Sequence, residues 1–284
     1  MDVEKEWNLR PFQLEALKIL REFQRICKKY SLTYYSDGGT SLGAVRHNGF
    51  IPWDDDLDVC MPREDFDRLL EVVDDELPSG MRFCRGGEEA HAPIYFSKII
   101  MSEDGIIERM SSATGLNFDF APFLDIFTLD GLPESVLDIK KWWVGRRMIR
   151  LCQLFRYPQS AIASKMGWFK LLVSRCLGCL LSPFYPKTKS NKEMMGVLDA
   201  YAKKWPYANS IMVVEAAFFG LRTKRIFSKD MYGEPRVVPF EDGVINVPQR
   251  VEEFLIRSYG NYMQPPPAEF CFPEHLMRNA YNHI

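Results

Sequence analysis

Residues 54–58 read Asp-Asp-Asp-Leu-Asp, four carboxylates in five positions. Two like charges about 4 Å apart repel by about 1 kcal/mol in water, and by about 4 kcal/mol at the effective dielectric near a protein surface. A chain that concentrates this repulsion relieves it with something positive. Within the run, Asp56-Leu57-Asp58-Val59-Cys60-Met61 alternates acidic and apolar residues and then turns apolar, with Pro62 as a stop. That is the period of a strand. Residues i and i+2 of a strand share a face, so Asp56 and Asp58 are expected to project together while Leu57 and Val59 enter a core. Two parallel carboxylates suit a hard divalent cation, Mg2+ or Mn2+, which takes oxygen ligands alongside substrate phosphates. No Cys or His stands beside them in a zinc-like spacing. The plainer alternative is an acidic turn, and Asp54 and Asp55 read as turn and capping residues.

A third carboxylate is Asp125, in Phe123-Leu-Asp-Ile-Phe127. One acid in an apolar run is costly to bury, so it normally has a partner or a metal; the alternative is a strand-end cap. Upstream, Gly38 and Gly39 follow the apolar-aromatic stretch Leu32–Tyr35 and precede Thr40-Ser41-Leu42-Gly43-Ala44-Val45, which can open a helix. A glycine turn at a helix N-terminus exposes backbone N–H groups to a phosphate. A Gly-Gly pair alone is only a turn; the signal is the order strand, Gly-Gly, helix, Asp-x-Asp strand, later strand with Asp.

That order resembles the nucleotidyltransferase superfamily, with its polymerase-beta-like fold. The run from Gly39 through Arg46-His-Asn-Gly-Phe-Ile-Pro-Trp53 to Asp58 is similar to the signature of the LicD family of phosphotransferases, to which fukutin and fukutin-related protein also belong. A second run agrees: Pro239-Phe-Glu241, Val247-Pro248, Leu255 and Tyr259-Gly-Asn-Tyr-Met-Gln-Pro-Pro266. The resemblance spans roughly residues 1–130 and 212–284. It implies an α/β (α+β) fold, a mixed sheet flanked by helices. It also implies transfer of a phospho-alcohol from a CDP-alcohol, CDP-choline foremost, to a hydroxyl of a cell-surface glycan or its lipid-linked precursor, releasing CMP. CDP-ribitol and CDP-glycerol are the other donors to expect. In that reading Asp56, Asp58 and Asp125 are catalytic and metal-holding. Gly38, Gly39, Thr40, Arg46, His47, Trp53 and Lys98 bind substrate. Lys98 departs from the pattern, since it is followed by Ile-Ile-Met-Ser-Glu-Asp without the expected threonine; an edge-strand lysine that blunts pairing is its alternative role. A nucleotidyltransferase releasing pyrophosphate and a non-catalytic membrane-surface scaffold remain open.

Phosphoryl transfer needs positioning and charge neutralisation more than a covalent intermediate. No protein nucleophile is required, and His47 reads more readily as a helix-end packing residue than as a proton carrier. An aromatic cage for a quaternary ammonium would draw on Trp53, Tyr95, Phe118 and Tyr232.

The 284 residues carry 46% hydrophobic and 26% charged side chains, ordinary for a globular chain with a sizeable core. Seven cysteines, an odd number, fit reduced thiols in a cytoplasm, and the polar start Met-Asp-Val-Glu-Lys-Glu predicts no signal peptide. Cys176 and Cys179 read as small apolar residues on a helix rather than a redox or metal pair. The net charge of −2 hides an asymmetry: residues 140–192 hold 12 Lys and Arg and no Asp or Glu. The same segment is rich in Trp, Phe and Leu, but no uncharged run reaches transmembrane length. Basic, aromatic and amphipathic together describe helices lying on an anionic membrane, peripheral to its inner face. Plain helical packing is the competing reading, and nucleic acid is not expected.

The elements that position these residues follow from period. Pro11–Tyr30 reads as an amphipathic helix and Arg63–Leu77 as another, started by Pro62. Arg82–Cys84, Pro93–Met101 and Phe123–Leu129 read as strands, with Asn117–Pro122 as a mobile connection. Ile211–Val214, Arg236–Phe240 and Val244–Val247 are β-like, and Val251–Tyr259 is helical. The expected division is a catalytic core over 1–133, a basic helical subdomain over 134–210, and a segment over 211–284 that returns to the core. The tail from His275 to His283 is expected at the surface, with a histidine closing the site as its other possible use.

Overall fold

In a computed structural model of the chain, residues 7–86, 96–156, 167–215 and 225–277 are described. They fall in two units, one within Met1–Phe83, Lys98–Phe127 and Asp230–Ile284, the other within Cys84–Ser97 and Thr128–Lys229.

The first unit starts with the predicted amphipathic helix, α1 (Arg10–Tyr30). Pro11 sits in its first turn, where a missing N–H costs nothing. Its apolar stripe buries Phe12, Leu17, Ile19, Leu20, Phe23 and Ile26, and Ser31 ends it in the left-handed region at φ 51°. Strand β1 (Tyr35–Ser36) follows, then α2 (Gly38–His47), β2 (Asp58–Pro62) and α3 (Arg63–Glu76). Next come β3 (Met81–Cys84), β4 (Ser97–Met101), α4 (Ile106–Thr114) and β5 (Phe123–Leu132). The strands lie in the order β1-β2-β5-β4-β3. β1 and β2 run antiparallel with Tyr35 opposite Cys60 and Ser36 opposite Val59. This is the expected α/β mixed sheet with helices packed beside it.

Four readings of the elements change. The glycine pair does not form a turn ahead of a helix; Gly38 and Gly39 are themselves the first residues of α2. The Asp strand begins at Asp58, so Asp56 lies in the extended approach to it. Helix α4 went unpredicted, although Gly105 and Gly115 bracket it and Ile106, Met110 and Thr114 recur at helical spacing on its buried side. The connection expected to be mobile is anchored at Phe118, which is 4% exposed and stacks on Phe12 with ring centroids 4.5 Å apart. Burying such a ring contributes roughly 1.5–3 kcal/mol.

The two runs that carry the family resemblance meet in this unit. Hairpin β6–β7 of the C-terminal part is set aside for the second unit, and the first unit instead receives β8 (Arg236–Phe240) and β9 (Gly243–Val247), paired antiparallel from Arg236–Val247 to Phe240–Gly243. Between them Glu241 adopts φ 58°; its amide donates to the Asn48 carbonyl at 2.8 Å and its carboxylate accepts from the Phe50 amide at 3.0 Å. Helix α8 (Val251–Tyr259) completes the unit and buries Val251, Phe254 and Leu255.

In the second unit the end of β5 pairs antiparallel with β6 (Met212–Glu215), which pairs with β7 (Ile226–Ser228). Helices α5 (Val136–Arg156), α6 (Trp168–Leu181) and α7 (Asn191–Ala202) form its helical part. Ile149 and Cys152 of α5 join Met194, Met195 and Leu198 of α7 in a buried cluster. α6 meets α5 at Gly178, where a Cβ would lie 2.1 Å from the Leu151 carbonyl oxygen. Among the described residues no helix is long and apolar enough to cross a membrane.

Candidate active site

Backbone pairing gathers the carboxylates. The Asp37 amide donates to the Asp58 carbonyl at 3.0 Å, and the Asp125 amide donates to the Leu57 carbonyl at 2.8 Å. The end of β1 and the starts of β2 and β5 therefore bring Asp37, Asp58 and Asp125 to one place. Thr40 fixes the start of β2, its hydroxyl accepting from the Asp58 amide at 2.8 Å. Gly38, at φ 49°, leaves room for a carboxylate: a Cβ there would lie 2.9 Å from Asp58 Oδ2. A Cβ on Gly39 would lie 2.7 Å from Asp54 Oδ2. The glycine pair is thus required by the acids that lean on the first turn of α2, whatever else its amides bind. An anion at a helix N-terminus is favourably placed against the helix dipole.

The electrostatics are those of a crowded anionic pocket. Burial, then the charge of Asp56, a hydrogen bond with Asp56 and the charge of Asp55, push the Asp54 carboxyl well above its ordinary range. Burial and the charges of Asp56, Asp125, Asp37 and Asp54 do the same to Asp58. Asp56 is raised by burial, against which the charge of His275 pulls down. Asp125, 3% exposed, is pushed up to about 6 by burial, although the Lys98 ammonium opposes the shift through its charge and a direct hydrogen bond. One carboxylate pushed up by desolvation and like neighbours marks a candidate functional site; several at one sheet end make the case stronger.

Lys98 is not an edge-strand lysine. β4 lies between β5 and β3, and Lys98 forms an ion pair with Asp125 while its ammonium sits 3.7 Å from the centroid of the Phe123 ring. The same ammonium acts on Asp56.

His275 reaches the site from far along the chain. Asp55, 1% exposed, accepts from the backbone amides of His275 at 3.3 Å and Leu276 at 2.9 Å, and its Oδ1 lies 3.3 Å from His275 Nδ1. Nδ1 is also 3.4 Å from Asp56 Oδ2, and the ring packs edge-on to Phe123. Burial disfavours a charged imidazole here, but the Asp55 hydrogen bond and the charges of Asp56 and Asp55 outweigh it and raise the pKa. One ligand atom each from Asp55, Asp56 and His275 can be chosen within 4.8 Å of one another. Asp55 is therefore an anchor for the C-terminal segment as well as part of the acidic run. His283 lies outside the described residues.

Other expected binding residues sit elsewhere. Arg46 and His47 close the far end of α2, about 12 Å along the helix axis from Gly38. Arg46 donates to His47 Nε2 at 2.9 Å and to the Tyr262 carbonyl at 2.9 Å. Burial and then the Arg46 charge lower the His47 pKa. Trp53 is half-buried in the turn before Asp54. The aromatic cage is not assembled from the residues named for it: Phe118 is stacked in the core, Tyr232 is fully buried against Tyr35, and Tyr95 lies outside the described residues. Asp37, Asp54, Asp55 and His275 had not been assigned to the site. Asp54 and Asp55 lie within the acidic run and Asp37 directly precedes the glycine pair, whereas His275, 220 positions from Asp55, fills the alternative of a tail histidine closing the site.

A divalent cation fits this chemistry. The donors are hard oxygens, several are pushed toward protonation by one another, and Lys98 and His275 are the cations acting on them. The sequence expectation assigns it to Asp56, Asp58 and Asp125, whereas the described group whose ligand atoms lie within 4.8 Å of one another is Asp55, Asp56 and His275.

A family model described as LicD/FKTN/FKRP, nucleotidyltransferase domain, matches residues 31–87, the stretch from β1 through the acidic run to β3. Over 284 aligned residues, 98% of this chain and 99% of the relative, the chain is 28% identical to the lipopolysaccharide cholinephosphotransferase LicD of Haemophilus influenzae. It is also 37% identical over 60 residues to an uncharacterized protein of Rickettsia prowazekii, covering 21% of this chain and 23% of that one. The glycine pair, the acidic run and the near full-length alignment agree in their likeness to the LicD family.

Proposed function

We propose that this chain is a metal-dependent phosphotransferase that moves a phospho-alcohol, phosphocholine foremost, from a CDP-alcohol to a hydroxyl of a cell-surface glycan or its lipid-linked precursor. The acceptor class and the choline follow the name of the Haemophilus relative. The observation that carries the chemistry is the gathering of Asp54, Asp56, Asp58 and Asp125 at one sheet end, where burial and mutual charge push them toward protonation. Lys98 and His275 offset part of this repulsion, and a bound divalent cation would relieve the rest.

In the reaction the acceptor oxygen bonds to the phosphorus that carries choline, the bond from that phosphorus to the bridging oxygen breaks, and CMP leaves with that oxygen. A bound divalent cation supplies neutralisation of charge on the pyrophosphate. Asp125, with a pKa near 6, is mostly ionised at neutral pH yet basic enough to take the acceptor proton. Lys98 holds the Asp125 carboxylate in place and adds positive charge beside it. Asp56 and Asp58 would hold the ion at the donor end of the site. The first turn of α2 lies beside Asp58 and Asp54, and its free amides would fix phosphate oxygens there.

Calorimetric titration with Mg2+ against CDP-choline, CDP-ribitol, CDP-glycerol and CTP tests the reading, with Asp58→Asn in parallel. Metal-dependent binding of one CDP-alcohol, weakened by the substitution, is expected. Binding of CTP alone would replace the proposal with a nucleotidyltransferase.

A further inference from the structure

We infer that the exposed face of helix α6 is a docking surface for an anionic lipid bilayer. At about 100° per residue, Phe169, Leu172, Val173, Cys176 and Leu180 fall within an arc of about 100°. That arc is opposite Gly178, where α6 packs closely against the Leu151 carbonyl of α5. Its side chains stay in water: Phe169 is 65% exposed and Leu180 71%, and at the two ends of the segment Trp168 is 77% and Phe184 82% exposed. Gly178 is the buried residue of the helix. Ordinary surface helices turn their apolar stripe to the core; this one turns it outward. A contiguous exposed apolar face of this kind marks an interaction site.

The flanking charges identify the occupant. Lys170 and Arg175 fall about 60° beyond the two edges of the arc, one on each side, where long basic side chains reach the headgroup level while the face between them enters the acyl boundary. Lys140, Lys141 and Arg147 on α5, and Lys187 and Lys189 after α6, are also exposed. Residues 140–192 contain no carboxylate, and Lys141 pairs with Asp138 just outside that stretch at 2.8 Å. A second copy of the chain would bring the same cations face to face, which disfavours self-association through this surface. Nucleic acid supplies phosphates but no counterpart for Leu172, Val173 and Leu180. A bilayer with anionic headgroups supplies both. Val144, Met148 and Leu151 of α5 extend the apolar surface into a groove of about 380 Å3 shared with Leu177, Leu180 and Leu181.

The test is co-sedimentation of the full chain with vesicles of phosphatidylcholine alone and of phosphatidylcholine with phosphatidylglycerol. Binding to the anionic vesicles at low salt is expected, at least roughly tenfold tighter than to the neutral ones and weakened at high salt. Lys170→Gln with Arg175→Gln is expected to weaken binding about tenfold or more. Phe169→Ser with Leu172→Ser and Leu180→Ser is expected to abolish it while leaving the melting temperature and circular dichroism unchanged, because these side chains are already in water. Trp168 emission is expected to shift blue on binding, a change that Trp168→Phe removes. Failure of the unaltered chain to sediment with anionic vesicles at low salt overturns the inference, as does equal binding by the triple variant. Concentration-dependent self-association that the triple variant eliminates also overturns it, since a second copy then covers the face. None of these readouts depends on turnover, so the inference and the proposed chemistry fail separately.

Discussion

In the first unit the carboxylates of Asp54, Asp56, Asp58 and Asp125 crowd around Lys98 and His275, held by strand ends, by Thr40 and by two glycines that leave them room. In the helical part of the second unit the pattern is inverted. Twelve cations occupy residues 140–192 without one acid, and α6 keeps its aliphatic and aromatic side chains in water. Both regions hold an imbalance that folding alone works against, of negative charge in one and of positive charge with bare apolar surface in the other. The first imbalance is buried and shifts the carboxylates toward protonation, which is the basis for proposing a small hard ion and a phosphate-bearing substrate there. The second is exposed and spread along a helix, so it calls for an extended anionic and apolar partner.

Substitutions separate the two. Asp58→Asn is expected to lower turnover about 10^3-fold or more, the scale of losing a preorganised electrostatic group. The same change is expected to stabilise the metal-free fold by about 1–4 kcal/mol, the scale of one relieved like-charge contact. Chemical denaturation with and without Mg2+ reads both effects, and an Asn variant that is less stable without metal would break the crowding account.

Acidity gives the next largest effect. Burial raises Asp125 from an ordinary value of about 4 to about 6, so its contribution to metal-free stability is complete below about pH 4 and is lost as pH rises through about 6. That window bounds the effect at about 3 kcal/mol. His275, also raised, acts in the same direction, its contribution being lost as pH rises through its folded pKa. Metal-free denaturation midpoints are therefore expected to fall between pH 4 and 7, and Asp125→Asn to flatten the curve. Mg2+ is expected to raise the midpoint more at pH 8 than at pH 5.

Gly38→Ala places a methyl group 2.9 Å from Asp58 Oδ2 at a φ that L residues avoid. A loss of about 1–2 kcal/mol in stability is expected from the backbone alone. Turnover is expected to fall about 10^2-fold as Asp58 is displaced. Leu172→Ser marks the other end of the scale: stability within about 0.5 kcal/mol of the unaltered protein, and unchanged turnover of a soluble donor and acceptor, because its side chain already faces water.

What was legible in the sequence followed the range of each signal. The acidic run, the glycine pair and the helices α1 and α3 declare themselves through local spacing, and the family signature reinforced them. The job of the glycines was not legible, because it depends on Asp58 and Asp54 returning to touch them. The pairing of Lys98 with Asp125 required knowing that β4 lies inside the sheet rather than at its edge. The His275 and Leu276 amides donate to Asp55 and the His275 ring approaches Asp56, contacts that leave no pattern in the sequence. The basic segment announced its charge but not its direction; only the packing of Gly178 against α5 shows which side of α6 faces out.

The most direct measurement is product analysis, by phosphorus NMR or chromatography, after incubating the chain with Mg2+, CDP-choline and a glycan or lipid-linked glycan acceptor. The account predicts one CMP released for each phosphocholine transferred, no pyrophosphate, and loss of both products in Asp58→Asn. Release of pyrophosphate, or product formation undiminished by Asp58→Asn, would contradict it.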